Sequence, residues 1–584
     1  MNLPLNTYRI QFNKDFTFKD LREIIPYLAN LGIDCIYASP VFKAVPGSNH
    51  GYDITDPHHI NPEIGGYSEL INLKNELSKK NIKWIQDIVP NHMAYHPENF
   101  WLMDVLEKKK ESEYYNFFDI NWHHPYYKNK LMAPILAEPL EDAISSNKIK
   151  LKLTDEGINI CYYDHIFPAS INSYKFILEA ANYLKRKVLS IINRDDEIQE
   201  NLNRFSQNIK LLKEFLELQN FQLVHWQETD QTINYRRFFT INGLICLKME
   251  EEHVFNHYHK FIFRQIRDGI FDGLRIDHID GLLDPTNYLT RLRKAIGKGT
   301  PVFVEKILEP QETLSCNWQV QGTTGYDFLA HVNRLLTDNS KAGQLQKVYF
   351  NFTNANDEYE NIVFENKLNF LKKYMGGELN NLYYLQKEIM PEADKETLAI
   401  MLAAMPVYRL YPTQKGITEP DKNILDQSAK KAKQYAGNEK VDRISNLLKN
   451  GDGDQWLYFM QRFMQLSGPL AAKGIEDTTF YQYNSLISHN EVGNNPEFYD
   501  YSPETFTDYL KERNKNFKNT INATSTHDTK RGEDARMRIN VISEQPEMWE
   551  KHVNNFKDLN KKFKNNSIPD DNDEYFLYQT IIGS

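Results

Sequence analysis

Asp277 closes the run Gly273-Leu274-Arg275-Ile276-Asp277, and Glu305 closes Pro301-Val302-Phe303-Val304-Glu305, 28 residues further on (305 − 277). Each acid ends a short apolar, β-branched run. A separation of that size is one strand, loop, helix and strand, so the two acids are expected at the ends of adjacent parallel strands. Neighbouring strands lie roughly 4.8 Å apart. Two carboxyl groups roughly 5–5.5 Å apart suit a retaining glycosidase, one as nucleophile and the other as general acid and then base.

Two more strand ends carry unusual polar residues: Asp87 with Asn91 and His92, and His527 with Asp528. The first acid pair has polar neighbours as well, in Arg275, His278 and Lys306. Arg275, two residues before Asp277, shares its strand face and can hold that carboxylate ionised through a charge-assisted hydrogen bond. Asp277 is then the nucleophile. Glu305 must be protonated to donate to a leaving oxygen, which requires an apolar or acid-crowded setting. Asp528 is expected to grip the hydroxyls of a distorted sugar, with His92 and His527 donating to the same ring and Tyr52 offering a face to stack on. His278 and Lys306 are the candidates for the acceptor side, with Lys473-Gly474-Ile475-Glu476-Asp477 as a further one.

These residues need a scaffold of repeated strand-helix units. Thr7 to Phe12 alternates like a strand, and Phe18, Leu21, Ile24, Ile25, Leu28 and Leu31 recur at helical spacing up to Gly32. Ile33 to Ser39 and Ile82 to Ile88 are the next apolar runs, with a helical stretch around Ser68 to Lys80 between them. Phe271 to Ile276 follows only after a long insertion, then 301–305, a strand near 318–325 and another at 523–527. The expected architecture is an α/β fold, a (β/α)8-type barrel whose active face lies at the C-terminal ends of its strands. It divides as 1–92 (barrel, first part), 93–254 (insertion), 255–330 (barrel, middle part), 331–519 (helical insertion) and 520–584 (barrel, last part). Both insertions are expected to be mainly helical, the first with long polar helices from about Lys175 to Gln219. Only seven strands are counted, so the eighth is expected to be missing.

Composition narrows the partners. With 69 Lys plus Arg against 79 Asp plus Glu, a net charge of −10 and no long basic stripe, nucleic acid is excluded. Aromatic residues make up 13% of the chain, enough for sugar-stacking platforms as well as core. Cys35, Cys161, Cys246 and Cys316 lack metal-ligand spacing and read as reduced thiols. His50, His58, His59, His123 and His124 match no common metal site and read as loop histidines, while Asp280 and Asp284 read as helix-capping or loop acids. No cofactor and no metal is called for. With no leader-like N-terminus and no run of 18 apolar residues, a cytoplasmic protein without a membrane partner is expected.

The four clusters, in this order, resemble the α-amylase superfamily of glycoside hydrolases. Further segments sharpen the likeness: Asn6 to Phe12, Pro46 to Asp53, Ile233 to Phe239, Gly322 to Phe328, Ala472 to Thr478 and Thr526 to Arg531 resemble the maltooligosyltrehalose synthase family. That resemblance implies a maltooligosaccharide substrate, with the α-1,4 bond at its reducing end turned into an α,α-1,1 bond. It also implies a trehalose-releasing hydrolase as functional partner. Asp277, Glu305 and Asp528 are its catalytic positions, and Tyr52, Asp53, Asn91, His92, Arg275, His278, Lys306 and His527 its substrate-binding ones. Asn91 is a calcium ligand in some relatives and is not assigned as one here. The sequence departs from the pattern at Gln227, where a basic residue is expected, and at Thr240, where an acidic one is. A C-terminal β-domain that the resemblance implies is not found in the sequence. A chain so shortened is expected to leave strand edges unpaired and to be poorly soluble or weakly active. Three functions stay open: the trehalose-forming isomerase, a maltodextrin hydrolase or other transglucosylase, and an inactive glucan-binding remnant.

Overall fold

The computed structural model describes residues 4–178, 199, 202–203, 205–309, 312–355, 358–497, 501–566 and 568–584. It divides into two compact units, residues 1–277 with 374–381 and residues 278–373 with 382–584.

The first unit is built on four parallel strands, β1 (Thr7–Ile10), β2 (Cys35–Ala38), β3 (Lys83–Ile88) and β4 (Gly273–Ile276). Thr7 faces Cys35, Cys35 faces Lys83, and Asp87 faces Arg275 across the sheet. All of β2 and β4, and β3 beyond Lys83, are buried. That is why these strands read as unbroken apolar runs, as strands covered on both faces do. Helix α1 (Phe18–Asn30) starts at a capping box of Thr17 and Asp20 and buries Phe18, Leu21, Ile25 and Leu28, one face at helical spacing. Phe18 meets Phe12 edge-on at 5.0 Å, and Phe12 stacks on Trp84 at 5.9 Å. Helices α2 (Gly66–Lys79) and α3 (Glu252–Arg267) complete the strand-helix rhythm.

The first insertion departs from the expectation of a mainly helical segment. Leu131–Leu136 pairs in parallel with Phe221–His225, and Ile149–Thr154, Gly157–Tyr162 and His165–Pro168 form an antiparallel meander. A third small sheet joins His92–Ala94, Ile241–Cys246 and Arg237–Phe238. Short alternating runs such as Ile149 to Thr154 carry lysines on alternate positions, and this period-2 signal is weak beside the helical periodicity that follows. Most of the polar stretch expected to be helical from about 175 to 219 lies outside the described residues; Ile209–Glu217 within it is an α-helix. Residues 374–381 dock on this insertion. A Cβ on Gly376 would lie 2.6 Å from the Asp230 carbonyl oxygen and one on Gly377 2.9 Å from that of Thr229. Arg237 donates to Glu378 (2.7 Å) and to the Tyr374 carbonyl (2.8 Å).

In the second unit, α4 (Pro285–Ile296) leads to β5 (Val302–Val304), which pairs in parallel with β6 (Gly322–Thr323), and α5 (Tyr326–Leu335) follows. Asp284 caps α4 by accepting from the Asn287 N–H at 2.9 Å, with Pro285 in the first turn. The segment 331–519 is helical as expected, and among its described residues there is no strand. Its longest helix is Gly453–Ala471, continued by a π-helical turn at Ala472–Glu476. Leu345, Tyr349 and Phe352 form a core with Trp549, Val553 and Tyr575 of the last two long helices.

The strand expected at 523–527 is not one. Its neighbourhood touches β6 at Thr323 without forming a ladder: the Ile521 N–H donates to the Thr323 carbonyl (3.3 Å), and the Thr520 hydroxyl accepts from the Thr323 N–H (3.0 Å) and donates to the Thr323 carbonyl (3.3 Å). The run Thr524-Ser525-Thr526 carries hydroxyls that serve the local backbone instead. Thr526 Oγ1 accepts from the Asp528 N–H (3.2 Å), and Thr529 Oγ1 donates to the Thr526 carbonyl (2.8 Å). Side chains of this kind compete with ladder bonds and favour turns.

Cys35, Cys161 and Cys246 are buried and Cys316 exposed, all as free thiols. No described helix is long and apolar enough to cross a membrane.

Candidate active site

In the first unit the strand ends gather a polar network inside an apolar sheet. The pairing of β3 with β4 sets Asp87 opposite Arg275, and both are fully buried. One guanidinium nitrogen of Arg275 donates to Asp87 Oδ1 at 2.8 Å and to Asp277 Oδ1 at 2.6 Å. Asp277 is itself only 7% exposed. Charge-assisted bonds of this length hold a carboxylate ionised and in one orientation. Asp87 takes two phenolic hydroxyls on its other oxygen, from Tyr52 (2.7 Å) and Tyr37 (3.2 Å). Burial raises the Asp87 pKa, against the lowering effects of Arg275, Tyr52 and Arg9. Burial and the Asp87 charge push the Tyr52 phenol well above its ordinary range, so it remains a donor.

Tyr52 is aimed by its loop. Asp53 ties this loop: its carboxylate accepts from the Ser48 hydroxyl (2.6 Å), which in turn accepts from the Gly51 N–H (3.1 Å). Gly51 has a φ of +78°, and a Cβ there would lie 2.7 Å from the Pro40 carbonyl oxygen. Gly51→Ala is therefore expected to destabilise the protein by about 1–3 kcal/mol and to raise KM for maltodextrins as Tyr52 shifts. Thermal denaturation and initial rates check this; an unchanged melt and KM would show that the loop yields without consequence.

Asn91 lies in the turn after β3, and His92 opens the short strand His92–Ala94. Both are buried, and His92 stacks against Phe238 with ring centroids 4.4 Å apart. Arg236 donates to Asn91 Oδ1 (3.0 Å) and to Asp119 (2.8 Å). The Asn91 oxygen thus faces a guanidinium cation.

In the second unit Glu305 follows β5, and one carboxylate oxygen accepts the His278 backbone N–H at 2.6 Å. His278 adopts a left-handed conformation (φ +44°, ψ +53°), which turns that N–H toward the acid. For a non-glycine residue such backbone is strained by about 1–3 kcal/mol and clusters at functional sites. Lys306 is buried and pairs with Asp280 at 3.0 Å, with the rings of Tyr408 and Tyr411 within 6 Å of its ammonium. Burial lowers the Lys306 pKa, and the Asp280 and Glu312 charges outweigh it, so the net shift is upward. Asp280, in the connection between β4 and α4, is thus half of a buried ion pair. Tyr411 donates to its carboxylate, and Arg409 donates to the Asp280, Leu282 and Leu283 carbonyls.

Asp528 takes the Tyr326 hydroxyl at 2.7 Å and lies 3.3 Å from His527 Nε2. Its side chain is 43% exposed, the most open of the three acids. Nearby in sequence to the π-helical turn, Lys473 and Lys530 both pair with Asp477, at 2.6 and 3.3 Å. Tyr408 donates to Glu476, whose carboxyl is pushed up to about 8 by burial, with Tyr408 and Lys530 opposing. A raised carboxyl contributes stability that is present below its ordinary value and lost as pH climbs through the folded value. The melting temperature is therefore expected to fall between pH 5 and pH 8, and Glu476→Gln to flatten that slope. Glu309, pushed to about 7 mainly by burial, adds a slope of the same sign. Lys367, held down to about 8 by burial, acts mainly above that pH. A slope unchanged in the Glu476→Gln protein would contradict this assignment.

Tyr52, Arg275 and Asp277 are thus joined in the first unit, with Asn91 and His92 in a contact cluster of their own. His278 with Glu305, Lys306 with Asp280, and His527 with Asp528 form the corresponding sets in the second. Sequence reasoning missed Arg9, Tyr37 and Tyr326 as partners of these acids. Arg9 lies 5.4 Å over the Tyr37 ring and donates to Tyr52 (3.3 Å). The only signal was position, since Arg9 lies on the first barrel strand and Tyr326 follows the glycine turn after β6.

Comparison with known proteins agrees with these motifs. The α-amylase catalytic-domain family model matches residues 16–148. The DSM5389 glycosyltrehalose synthase structure is 35% identical, with a TM-score of 0.81, over 99% of this chain and 70% of its own. The maltooligosyltrehalose synthase of Arthrobacter ramosus is 30% identical, with a TM-score of 0.84, over 99% of this chain and 69% of its own. A putative maltooligosyl trehalose synthase of Mycobacterium tuberculosis is 29% identical, over 99% and 69% respectively.

Proposed function

Because the chain belongs to the maltooligosyltrehalose synthase family, we propose that Asp277, Glu305 and Asp528 carry out an intramolecular transglucosylation on maltodextrins. The α-1,4 bond at the reducing end becomes an α,α-1,1 bond, giving a maltooligosyl trehalose. The observation that carries this reading over a hydrolase is the extent of the likeness: the general amylase match ends at residue 148, whereas the synthases match over 99% of the chain.

Asp277, oriented by Arg275, attacks the anomeric carbon of the penultimate glucose, and Glu305 protonates the departing O4 of the terminal glucose. The bond to O4 breaks as the bond to Asp277 forms, which splits one hard displacement into two easier ones. The released glucose turns and presents its own anomeric hydroxyl. Glu305, now ionised, takes the proton from that hydroxyl as it displaces Asp277, and retention at the transferred carbon results. The His278 N–H on one Glu305 oxygen supports a fixed orientation through both steps. Asp528, Tyr52, His92 and His527 bind the donor sugar, and His278 and Lys306 the acceptor glucose. Water attacking the same intermediate gives free glucose instead, so exclusion of water decides the product. An enzyme that hydrolyses trehalose from the new end is the functional partner.

A reducing-sugar time course on maltopentaose tests the assignment. Isomerisation lowers reducing power without releasing an equal amount of glucose, since both anomeric carbons of the new bond are blocked. A rise in reducing power would make the chain a hydrolase.

A further inference from the structure

Asp528 stands on no regular element, which raises the question of what fixes it. The segment 523–531 forms neither helix nor strand, and Asp528 itself is held by one foreign hydroxyl, that of Tyr326. Glu491 lies 39 residues upstream of Lys530 and is 1% exposed. Its two oxygens accept separate backbone N–H groups of the same loop, Lys530 on Oε1 at 2.6 Å and Arg531 on Oε2 at 3.1 Å. Arg536, also buried, lies 3.6 Å from Glu491 Oε2 and donates to the Arg531 carbonyl (2.6 Å) and to the Thr524 carbonyl. Arg531 reaches back to the Ile487 carbonyl at 3.1 Å.

The pair therefore grips the loop on both flanks of Asp528, at residue 524 before it and at 530 and 531 after it. A carboxylate accepting two backbone N–H groups is a strong, directional anchor. Apart from the neighbouring Val492 N–H, which Glu491 Oε1 also accepts at 3.1 Å, the groups that this buried charged pair binds are backbone atoms of one irregular segment, so the pair stabilises that segment's conformation rather than a sheet or helix. We propose that Glu491, with Arg536, is a positioning residue for Asp528 and sets its approach to the sugar in the transition state. This rests on the catalytic reading of Asp528 made above.

The test is a double-mutant cycle on the full chain with maltopentaose as substrate. Glu491→Gln keeps the shape but presents an amide N–H to one of the two backbone donors, so the loop must shift. Displacements of about 1 Å in catalytic groups cost on the order of 10²-fold. The expected result is a kcat lower by about 10- to 100-fold and KM changed by less than about threefold, in a protein that melts cooperatively at a lower temperature because one charge of a buried pair is lost. In an Asp528→Asn background the same substitution is expected to add little, because groups acting as one unit are not additive. A kcat within about threefold of wild type, or losses that multiply in the double variant, would overturn the proposal. Arg536→Lys, which keeps the charge but loses the two-carbonyl grip, is read by the same criteria and decides the matter if Glu491→Gln does not fold. If neither folds, the pair holds the fold and not the loop, and the proposal fails. The Asp528→Asn protein alone separates the two readings: if it keeps full activity, the catalytic assignment fails, and if it is crippled while Glu491→Gln is silent, only the positioning role fails.

Discussion

Asp277→Asn is expected to abolish isomerisation and hydrolysis together, with kcat lower by ~10³-fold or more. Both products begin at one covalent intermediate, and an amide cannot form it. The substitution is nearly isosteric, and Arg275 keeps its bond to Asp87, so the buried guanidinium is not left without a counter-charge. Loss of activity with a native-like melt is the expected combination. A variant that retains a tenth of wild-type turnover on maltopentaose would remove Asp277 from the role of nucleophile.

Glu305→Gln is expected to be inactive on maltodextrins, by ~10²-fold or more, yet to form the glycosyl-enzyme from an α-maltosyl fluoride, with a first-turnover burst of fluoride at a rate close to wild type. General acid catalysis contributes roughly 10²–10⁴-fold where the leaving group needs a proton. Fluoride needs none, and the nucleophile is intact. If the fluoride is as inert as the natural substrate, Glu305 is not the acid, or does not act alone.

Much of the barrel was legible because its strands are buried on both faces. Cys35 to Ala38 and Gly273 to Ile276 are buried throughout, and burial of that kind leaves a continuous apolar run that needs no periodicity to be seen. Asp277 and Glu305 stood out because each ends such a run. Arg275 was legible from its two-residue offset, though its second partner, Asp87, comes from a strand almost two hundred residues away, and only the register of β3 against β4 reveals it. The segment 523–527 misled for a physical reason: threonine favours strands through its branched side chain, but here its hydroxyls bond the nearby backbone and make turns. The small sheets of the first insertion escaped notice because their strands are short, two to six residues each, and several have partners fixed by long-range pairing. Lys306 stood out as a cation beside a strand-end acid, but its pairing with Asp280 was not legible, because acids in the turn after a strand read equally well as helix caps or loop acids. Asp284 does cap α4.

The most direct measurement is to identify the residue that carries the sugar. The Glu305→Gln protein is incubated with a deactivated α-maltosyl fluoride, digested, and its peptides are sequenced by mass spectrometry. The mass of one maltosyl group is expected on the peptide that contains Asp277, at that side chain and nowhere else. A maltosyl group on another carboxylate, such as Asp528 or Asp87, would contradict the double displacement on Asp277.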